Sequence, residues 1–79
     1  MSRIDKLVDK FLSNPTSVKY SELEKILIHF GFEKLNAKGS HMKFKHAALK
    51  GDLIIPIHNN DCKDHYKKEA KKAIEKINK

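Results

Sequence analysis

Histidine is the residue type in this chain best suited to proton transfer near neutral pH, and one histidine stands among lysines. His41 is followed at alternate positions by Lys43 and Lys45. An imidazole, with an ordinary pKa of ~6.5, can accept or donate a proton at cellular pH. Lysine ammonium groups on the same side can stabilise negative charge that develops on a phosphate. Considered without further context, a surface histidine is more often without function, so this pattern alone does not assign a reaction.

Two other kinds of site can be drawn from the polar side chains. A metal site could be imagined from four residues, His58, Asp61, Cys62 and His65. Structural zinc normally has four ligands that are richer in cysteine, and the chain offers no second cysteine. Cys62 as a nucleophile is a weaker hypothesis, because no motif places a base beside it. We therefore predict neither a metal site nor another cofactor.

The length of the chain limits the size of its fold, and its net charge indicates the class of molecule that it binds. A chain of 79 residues has room for one small domain, 1–79, with one small core. Seventeen Lys and Arg against ten Asp and Glu give a net charge of +7, which attracts polyanions. Nucleic acid is the partner class that this charge favours, although a lysine-rich surface can also serve solubility alone.

The cysteine count and the N-terminal sequence bear on location. Cys62 is the single cysteine, which excludes an internal disulfide and suits a reducing compartment. The first ten residues contain no apolar stretch typical of a signal peptide, and no run of the sequence is long and apolar enough to span a membrane. We expect a cytoplasmic protein without a membrane partner.

The first half of the chain predicts two helices. Residues 3–13 repeat apolar residues at the spacing of one helical face and end at Asn14-Pro15. Because that stripe is fully apolar, we expect this helix to pack into the core rather than to bind a partner. Ser21 and Glu24 form a capping-box pattern for a second helix, and Gly31 is its natural C-terminal stop.

The period then changes towards two, which predicts a meander of three antiparallel strands over 32–37, 40–47 and 52–58. Successive side chains of a strand point to opposite faces, so Met42 and Phe44 should enter the core while His41, Lys43 and Lys45 lie outside. Alternation in the third strand places Leu53, Ile55 and Ile57 inside, and Ile54, Pro56 and His58 on the face of His41. Pro56 lacks an amide donor, which indicates an edge strand.

A final helix is predicted from about Asp61 to Asn78. Residues 62–79 carry seven lysines against three acidic residues, so this helix is a candidate electrostatic surface for nucleic acid. The order helix, helix, three strands, helix predicts an α+β domain of two layers with the helices on one face of the sheet. The lysines expected to contact RNA phosphates are Lys67, Lys68, Lys71 and Lys72.

Residues 21–77 resemble the HicA toxins of toxin–antitoxin pairs, which have a fold like that of double-stranded-RNA-binding domains. The resemblance is carried by Gly31-Phe32, by Gly39-Ser40-His41 at the start of the second strand, by Phe44 and by Pro56-Ile57-His58. Residues 3–13 are an additional helix, and the last helix opens with Asp61-Cys62-Lys63-Asp64 in place of the usual Gly-Thr-like start.

The resemblance implies an endoribonuclease that cleaves mRNA and that a HicB-like antitoxin inhibits. It implies that His41, after Gly39 and Ser40, is the catalytic residue. Metal-independent cleavage then needs His41 as general acid or base, with Lys43 or Lys45 stabilising the phosphate. His58 is a possible second acid or base, although a histidine at a strand end more often only packs or hydrogen-bonds.

The main alternative is a binding module for double-stranded RNA without catalysis, because the Lys67–Ala73 segment is similar to the lysine-rich start of the last helix in such domains. A third hypothesis is that the chain acts by binding another protein. It is compatible with both of the others, because a basic face would also attract an acidic antitoxin. The histidine after Gly39-Ser40 favours the enzyme, because a pure binding domain gives no reason for it.

Overall fold

The computed structural model describes residues 3–37 and 39–77 of the chain. Within these residues the fold class and the element order agree with the prediction: two helices, three antiparallel strands and a last helix. No helix in the described part combines the length and apolar character that crossing a membrane requires. The elements are α1 (Arg3–Ser13), a short 3-10 helix (Pro15–Ser17), α2 (Tyr20–His29), β1 (Glu33–Asn36), β2 (His41–Lys45), β3 (Leu53–Pro56) and α3 (Asp64–Ile77).

Strand β2 lies between β1 and β3 in the sheet. The Cα partner of His41 is Pro56, and that of Lys43 is Ile54. Ser40 O accepts the Ile57 N–H at 3.0 Å, and hydrogen-bonded pairs alternate with non-hydrogen-bonded pairs in an antiparallel ladder. His41 and Pro56 therefore form a non-hydrogen-bonded pair. Because the missing amide of Pro56 faces the open edge, the prediction of an edge strand is confirmed.

One face of the sheet packs on the helices and forms the core. Phe44 and Ile55 are fully buried there, as is Phe11 of α1. Met42 is partly buried against the same cluster, as the alternation predicts. Leu53 and Ile57 also pack against it, and so do the apolar residues of the additional helix, Ile4, Leu7, Val8 and Leu12. The additional helix is thus part of the core, and the opposite sheet face, hereafter the outer face, remains open.

The predicted capping box at the start of α2 is wrong by two residues. The helix begins at Tyr20, and the Glu22 carboxylate accepts the Lys19 N–H at 3.0 Å. Glu24 instead pairs with Lys34 of β1, with 2.8 Å between Oε1 and Nζ. The helix begins earlier than predicted because of a long-range contact. A carboxylate far along the chain accepts a hydrogen bond from the first N–H of the helix.

That carboxylate belongs to Asp61. Its Oδ1 accepts the Tyr20 N–H at 3.1 Å and the Cys62 N–H at 2.8 Å. The Lys67 Nζ lies 3.4 Å from the same oxygen, and only 6% of the Lys67 side chain is exposed. The Cys62 N–H, with the Lys67 ammonium and the Tyr20 N–H, holds the pKa of Asp61 below its ordinary value, although burial acts in the opposite direction. One side chain therefore joins the start of α2 to α3.

The end of β3 and the start of α3 differ from the prediction. The strand ends at Pro56, and α3 begins at Asp64 rather than near Asp61. Between them His58 and Asp61 exchange backbone hydrogen bonds of 2.7 and 3.1 Å, with Asn59 and Asn60 at φ 54° and 64°. Two left-handed residues in the centre define a tight type I′ turn, which asparagine tolerates. Asn78, the predicted last residue of the helix, lies outside the described residues.

Gly31 ends α2, as predicted. Its φ is +92°, its N–H bonds to Ile28 O at 3.0 Å, and the Phe32 N–H bonds to Leu27 O at 3.0 Å. These two bonds form a Schellman motif, which requires a left-handed residue at this position. The ring of His46 closes over the turn, with Nε2 3.1 Å from Phe30 O.

Replacing Gly31 with Ala should therefore destabilise the fold. A Cβ at Gly31 would lie 3.4 Å from His46 Nε2 and would also force an alanine to positive φ, so we expect a loss of roughly 1–2 kcal/mol. Urea denaturation measures it. Gly51→Ala is the control, because a Cβ there meets nothing within 4 Å, and its stability should match the wild type. Equal stabilities for the two variants would contradict this account of the turn.

The Asp61 contacts predict a pH-dependent stability. Folding lowers the pKa of Asp61, so the charged carboxylate stabilises the folded state. This contribution to the free energy of unfolding is complete above the ordinary carboxyl pKa of ~4, and it is lost as the pH falls through the lower native pKa. Asp61→Asn leaves the buried Lys67 ammonium without its counter-charge. Since Asp61 is itself about half exposed and screened, we expect a loss of only about 1–2 kcal/mol at pH 7.

The measurement is the urea midpoint of wild type and Asp61→Asn between pH 7 and pH 2.5, with Asp9→Asn of α1 as the control. The difference between wild type and Asp61→Asn should shrink below pH 4. A difference that stays constant across this range would show that the charge of Asp61 does not stabilise the fold.

Candidate active site

A short hairpin loop positions His41. The Ala37 N–H bonds to His41 O at 3.1 Å, so the connection from β1 to β2 is a short hairpin that contains Gly39 and Ser40. Gly39 adopts φ +68° there, in the left-handed region that glycine enters without strain. The Gly39-Ser40 sequence thus turns the chain so that His41 is the first residue of β2 and its side chain lies on the outer face.

The outer face consists of three cross-strand rows that follow from the register and from alternation. The first row is apolar on both sides of the histidine, and the third row is charged throughout. The rows are Ala37–His41–Pro56, then Leu35–Lys43–Ile54, then Glu33–Lys45–Asp52. His41 therefore stands at the apolar end of the face.

A shallow depression of about 500 Å³ lies at His41. Its wall includes Ile54, which is 48% exposed. The remaining lining residues are Ala37, Gly39 and Ser40. A small planar or apolar group could rest there in contact with the imidazole.

Lys43 and Lys45 share the face of His41, as the alternation predicts, but carboxylates accompany both. Lys43 Nζ lies 3.7 Å from Asp52 Oδ2, and Glu33 is the cross-strand partner of Lys45. One of the two ammonium groups is thus paired with a carboxylate. Both lysines share the face with acidic residues, which come from β1 and from the residue before β3.

His58 lies in a different depression from His41. It lines a concavity of about 320 Å³ together with Pro56, Cys62 and Tyr66, and none of the residues lining it also lines the depression of His41. Alternation along β3 stops at Pro56, where the strand ends, so it no longer fixes the face on which His58 lies. Pro56, the strand partner of His41, is among the residues that line the concavity of His58.

The lysines of α3 divide into two groups. Lys67 is 4% exposed and faces Asp61, so its ammonium is part of the folded interior and not of the surface. Lys68 and Lys72 are exposed, and Lys71 is half-buried. Lys72 lines a surface concavity with Lys50 and Lys76 near the charged end of the sheet.

The two other kinds of site are not assembled. In the part of the chain that the structure describes, no three histidine, cysteine or acidic side chains lie close enough to hold a metal ion. The oxygen of Asp61 is already engaged by Lys67 and by two backbone N–H groups, and His65 pairs with Glu69 at 3.8 Å. Burial raises the pKa of the Cys62 thiol, which disfavours the nucleophilic thiolate.

Four residues were not predicted from the sequence: two lie on the outer face, and two line the concavity of Lys72. Leu35 and Ala37 follow from the register of β1, which alternation within one strand does not reveal. Lys50 and Lys76 join Lys72 only when the loop between β2 and β3 is placed against α3. Lys50 falls between the predicted strands 40–47 and 52–58, and a lysine beside a predicted strand was the available signal for it.

Comparison with known protein families matches residues 20–76 to the family described as HicA toxin of bacterial toxin–antitoxin. The match covers almost the same segment as the resemblance found in the sequence, and it excludes α1. No curated protein and no solved structure matches the chain. Because the family match spans more than half of the sequence, and because the element order agrees with the prediction, the chain belongs to the HicA family of toxins of toxin–antitoxin systems.

Proposed function

We propose that this toxin is a cytoplasmic endoribonuclease that cleaves mRNA without a metal ion and uses His41 as a general acid or base. The observation that carries the proposal is the position of His41: it opens the central strand on the outer face, beside a depression, in a chain of a toxin family. The net charge of +7 supplies the attraction for a polyanion.

The reaction follows from the chemistry of RNA. The 2′-hydroxyl attacks the adjacent phosphorus while a base takes its proton, and the bond to the 5′-oxygen of the next nucleotide breaks as an acid protonates that oxygen. The products are a 2′,3′-cyclic phosphate and a 5′-hydroxyl. His41 can supply one of the two proton transfers.

His58 is our candidate for the second proton transfer. It follows Pro56, the strand partner of His41, by two residues and is exposed. Because the two histidines line separate depressions, an extended substrate would have to run across Pro56 to reach both. The proposal therefore makes His41 essential and His58 auxiliary.

Charge stabilisation falls to Lys43 and Lys45. A phosphate next to His41 would compete with Asp52 for the Lys43 ammonium, because that pair is already 3.7 Å apart and a third exposed. Beyond the sheet, Lys68, Lys71 and Lys72 of α3, with Lys50 beside them, are proposed to contact phosphates along the RNA. Lys67 is left out of this set because it is buried against Asp61.

The partner that blocks the enzyme is proposed to be a HicB-like antitoxin that covers the outer face. An acidic partner would be drawn to the same positive charge that attracts RNA. Covering the depression at His41 would exclude the substrate directly.

A second candidate function is a non-catalytic module for double-stranded RNA. It is favoured by the exposed lysines of α3, which would meet phosphates across a groove in such a domain. The two functions differ in what they require of His41, since only the enzyme needs it.

His41→Ala should reduce cleavage of a single-stranded RNA by at least about a hundredfold, because one proton transfer is lost, while the affinity for RNA changes little. Gel analysis of end-labelled RNA gives the rate, and fluorescence anisotropy gives the affinity. His65→Ala is the matched control, because His65 is a histidine with 72% of its side chain exposed on α3. Cleavage by His41→Ala at the wild-type rate would remove the proposed mechanism, and binding without cleavage by every variant would favour the module.

Neutralising Lys72 should weaken RNA binding and lower the slope of log affinity against log salt by about one, because one phosphate contact is lost. Lys72→Gln is compared with Lys6→Gln of α1, since both changes remove one exposed charge and leave the same net charge. Affinity is measured between 50 and 200 mM salt, roughly the range over which such contacts weaken markedly. Equal slopes for the two variants would place the RNA away from α3.

A further inference from the structure

The exposed side chain of Ile54 lies beside His41. Ile54 and Ile28 are the large hydrophobic side chains that the structure leaves exposed among the described residues, at 48% and 51%. A single exposed isoleucine is ordinary in a folded protein. Ile54, however, lines the depression of His41, whereas Ile28 lies on α2.

Strand pairing surrounds His41 with apolar side chains. His41 pairs with Pro56 and Lys43 pairs with Ile54, and both are non-hydrogen-bonded pairs, in which the two side chains approach most closely. On the other side of β2, Ala37 lies opposite His41, and its N–H bonds to His41 O. We define the apolar cradle as Ala37 and Ile54, which line the depression of His41, together with Pro56, the strand partner of His41.

The charges of the outer face give the cradle its significance. Asp52 pairs with Lys43 at 3.7 Å, and Glu33 is the strand partner of Lys45, so acidic residues reduce the attraction of this face for a phosphate. The side chains that line the depression beside His41 carry no charge. Contact with an uncharged, apolar part of the substrate is therefore the interaction that this depression can offer.

We propose that the apolar cradle binds an unpaired nucleobase adjacent to the cleaved phosphate, with Ile54 as its main contact. The inference rests on the proposed ribonuclease function. A nucleotide has three parts, and only the base presents an apolar surface, since the phosphate is charged and the ribose is polar. In a duplex the faces of the bases are stacked inside the helix, so the cradle selects single-stranded RNA.

Binding of this kind depends little on which base is present. Every base has an apolar face, and aliphatic side chains make no hydrogen bonds that would distinguish one base from another. The cradle should therefore fix the nucleotide beside His41 without imposing a strict cleavage sequence. It acts on substrate binding rather than on the proton transfers.

The test uses Ile54→Thr, which keeps a β-branched side chain in the strand, and Ile28→Thr as the matched control. The substrates are one single-stranded RNA with a mapped cleavage site and two copies that carry an abasic nucleotide on either side of that site. Both KM for cleavage and Kd by anisotropy are measured, with thermal unfolding to verify each fold.

We expect Ile54→Thr to raise KM and Kd about fivefold with little change in kcat, and Ile28→Thr to leave all three unchanged. One of the two abasic RNAs should raise KM of the wild type by a similar factor. That abasic RNA should not raise the KM of Ile54→Thr any further, because the substitution and the missing base remove the same contact.

Failure of the cradle and failure of the enzyme give different results. If the wild type cleaves and neither Ile54→Thr nor either abasic RNA changes KM, the cradle is overturned while the enzyme stands. If the wild type does not cleave, the proposed function fails, and the Kd values of Ile54→Thr and Ile28→Thr for single-stranded RNA decide on the cradle: equal values overturn it. If Ile54→Thr weakens only inhibition by the antitoxin, the apolar strip serves a protein partner and the base-binding proposal is overturned.

Discussion

The register of the central strand is the constraint on which the site depends. Phe44 is fully buried, and three residues earlier in β2 His41 lies on the opposite face. A shift of the pairing by one residue would exchange the two faces, burying His41 and exposing Phe44. The Gly39 turn at one end and the pairing of Phe44 with Leu53 at the other hold this register. The same alternation that builds the core therefore exposes the imidazole.

Charged side chains of both signs lie near the site and on α3. Lys43 pairs with Asp52 on the outer face, and the concavity lined by Lys50, Lys72 and Lys76 also contains Asp52 and Glu69. The positive charge of the chain is thus spread over several elements and does not mark a single surface. Close to His41 the neighbouring side chains of the outer face are apolar, and this sets the position apart from the charged end of the sheet.

The sequence predicts the features that depend on local pattern. The helices, the alternation of β2 and the glycine end of α2 all follow from periodicity and from backbone chemistry within a few residues. Lys67 illustrates what does not follow, because its burial depends on Asp61, which itself binds Tyr20, 41 residues away. His58 leaves the strand because two asparagines adopt left-handed conformations, and this choice is not visible in the apolar pattern. The acidic neighbours of Lys43 and Lys45 come from β1 and from the residue before β3, so they become apparent only with the register.

The most direct test of the central claim is whether the RNA's own 2′-hydroxyl is the nucleophile. Purified protein is given, in EDTA, one RNA with a mapped cleavage site and a copy with a single 2′-deoxy nucleotide on the 5′ side of that site, and the product ends are identified by mass spectrometry. The account predicts cleavage of the RNA to a 2′,3′-cyclic phosphate and a 5′-hydroxyl, and no cleavage of the deoxy copy at that site. Cleavage of both substrates, or products with a 3′-hydroxyl and a 5′-phosphate, would contradict it.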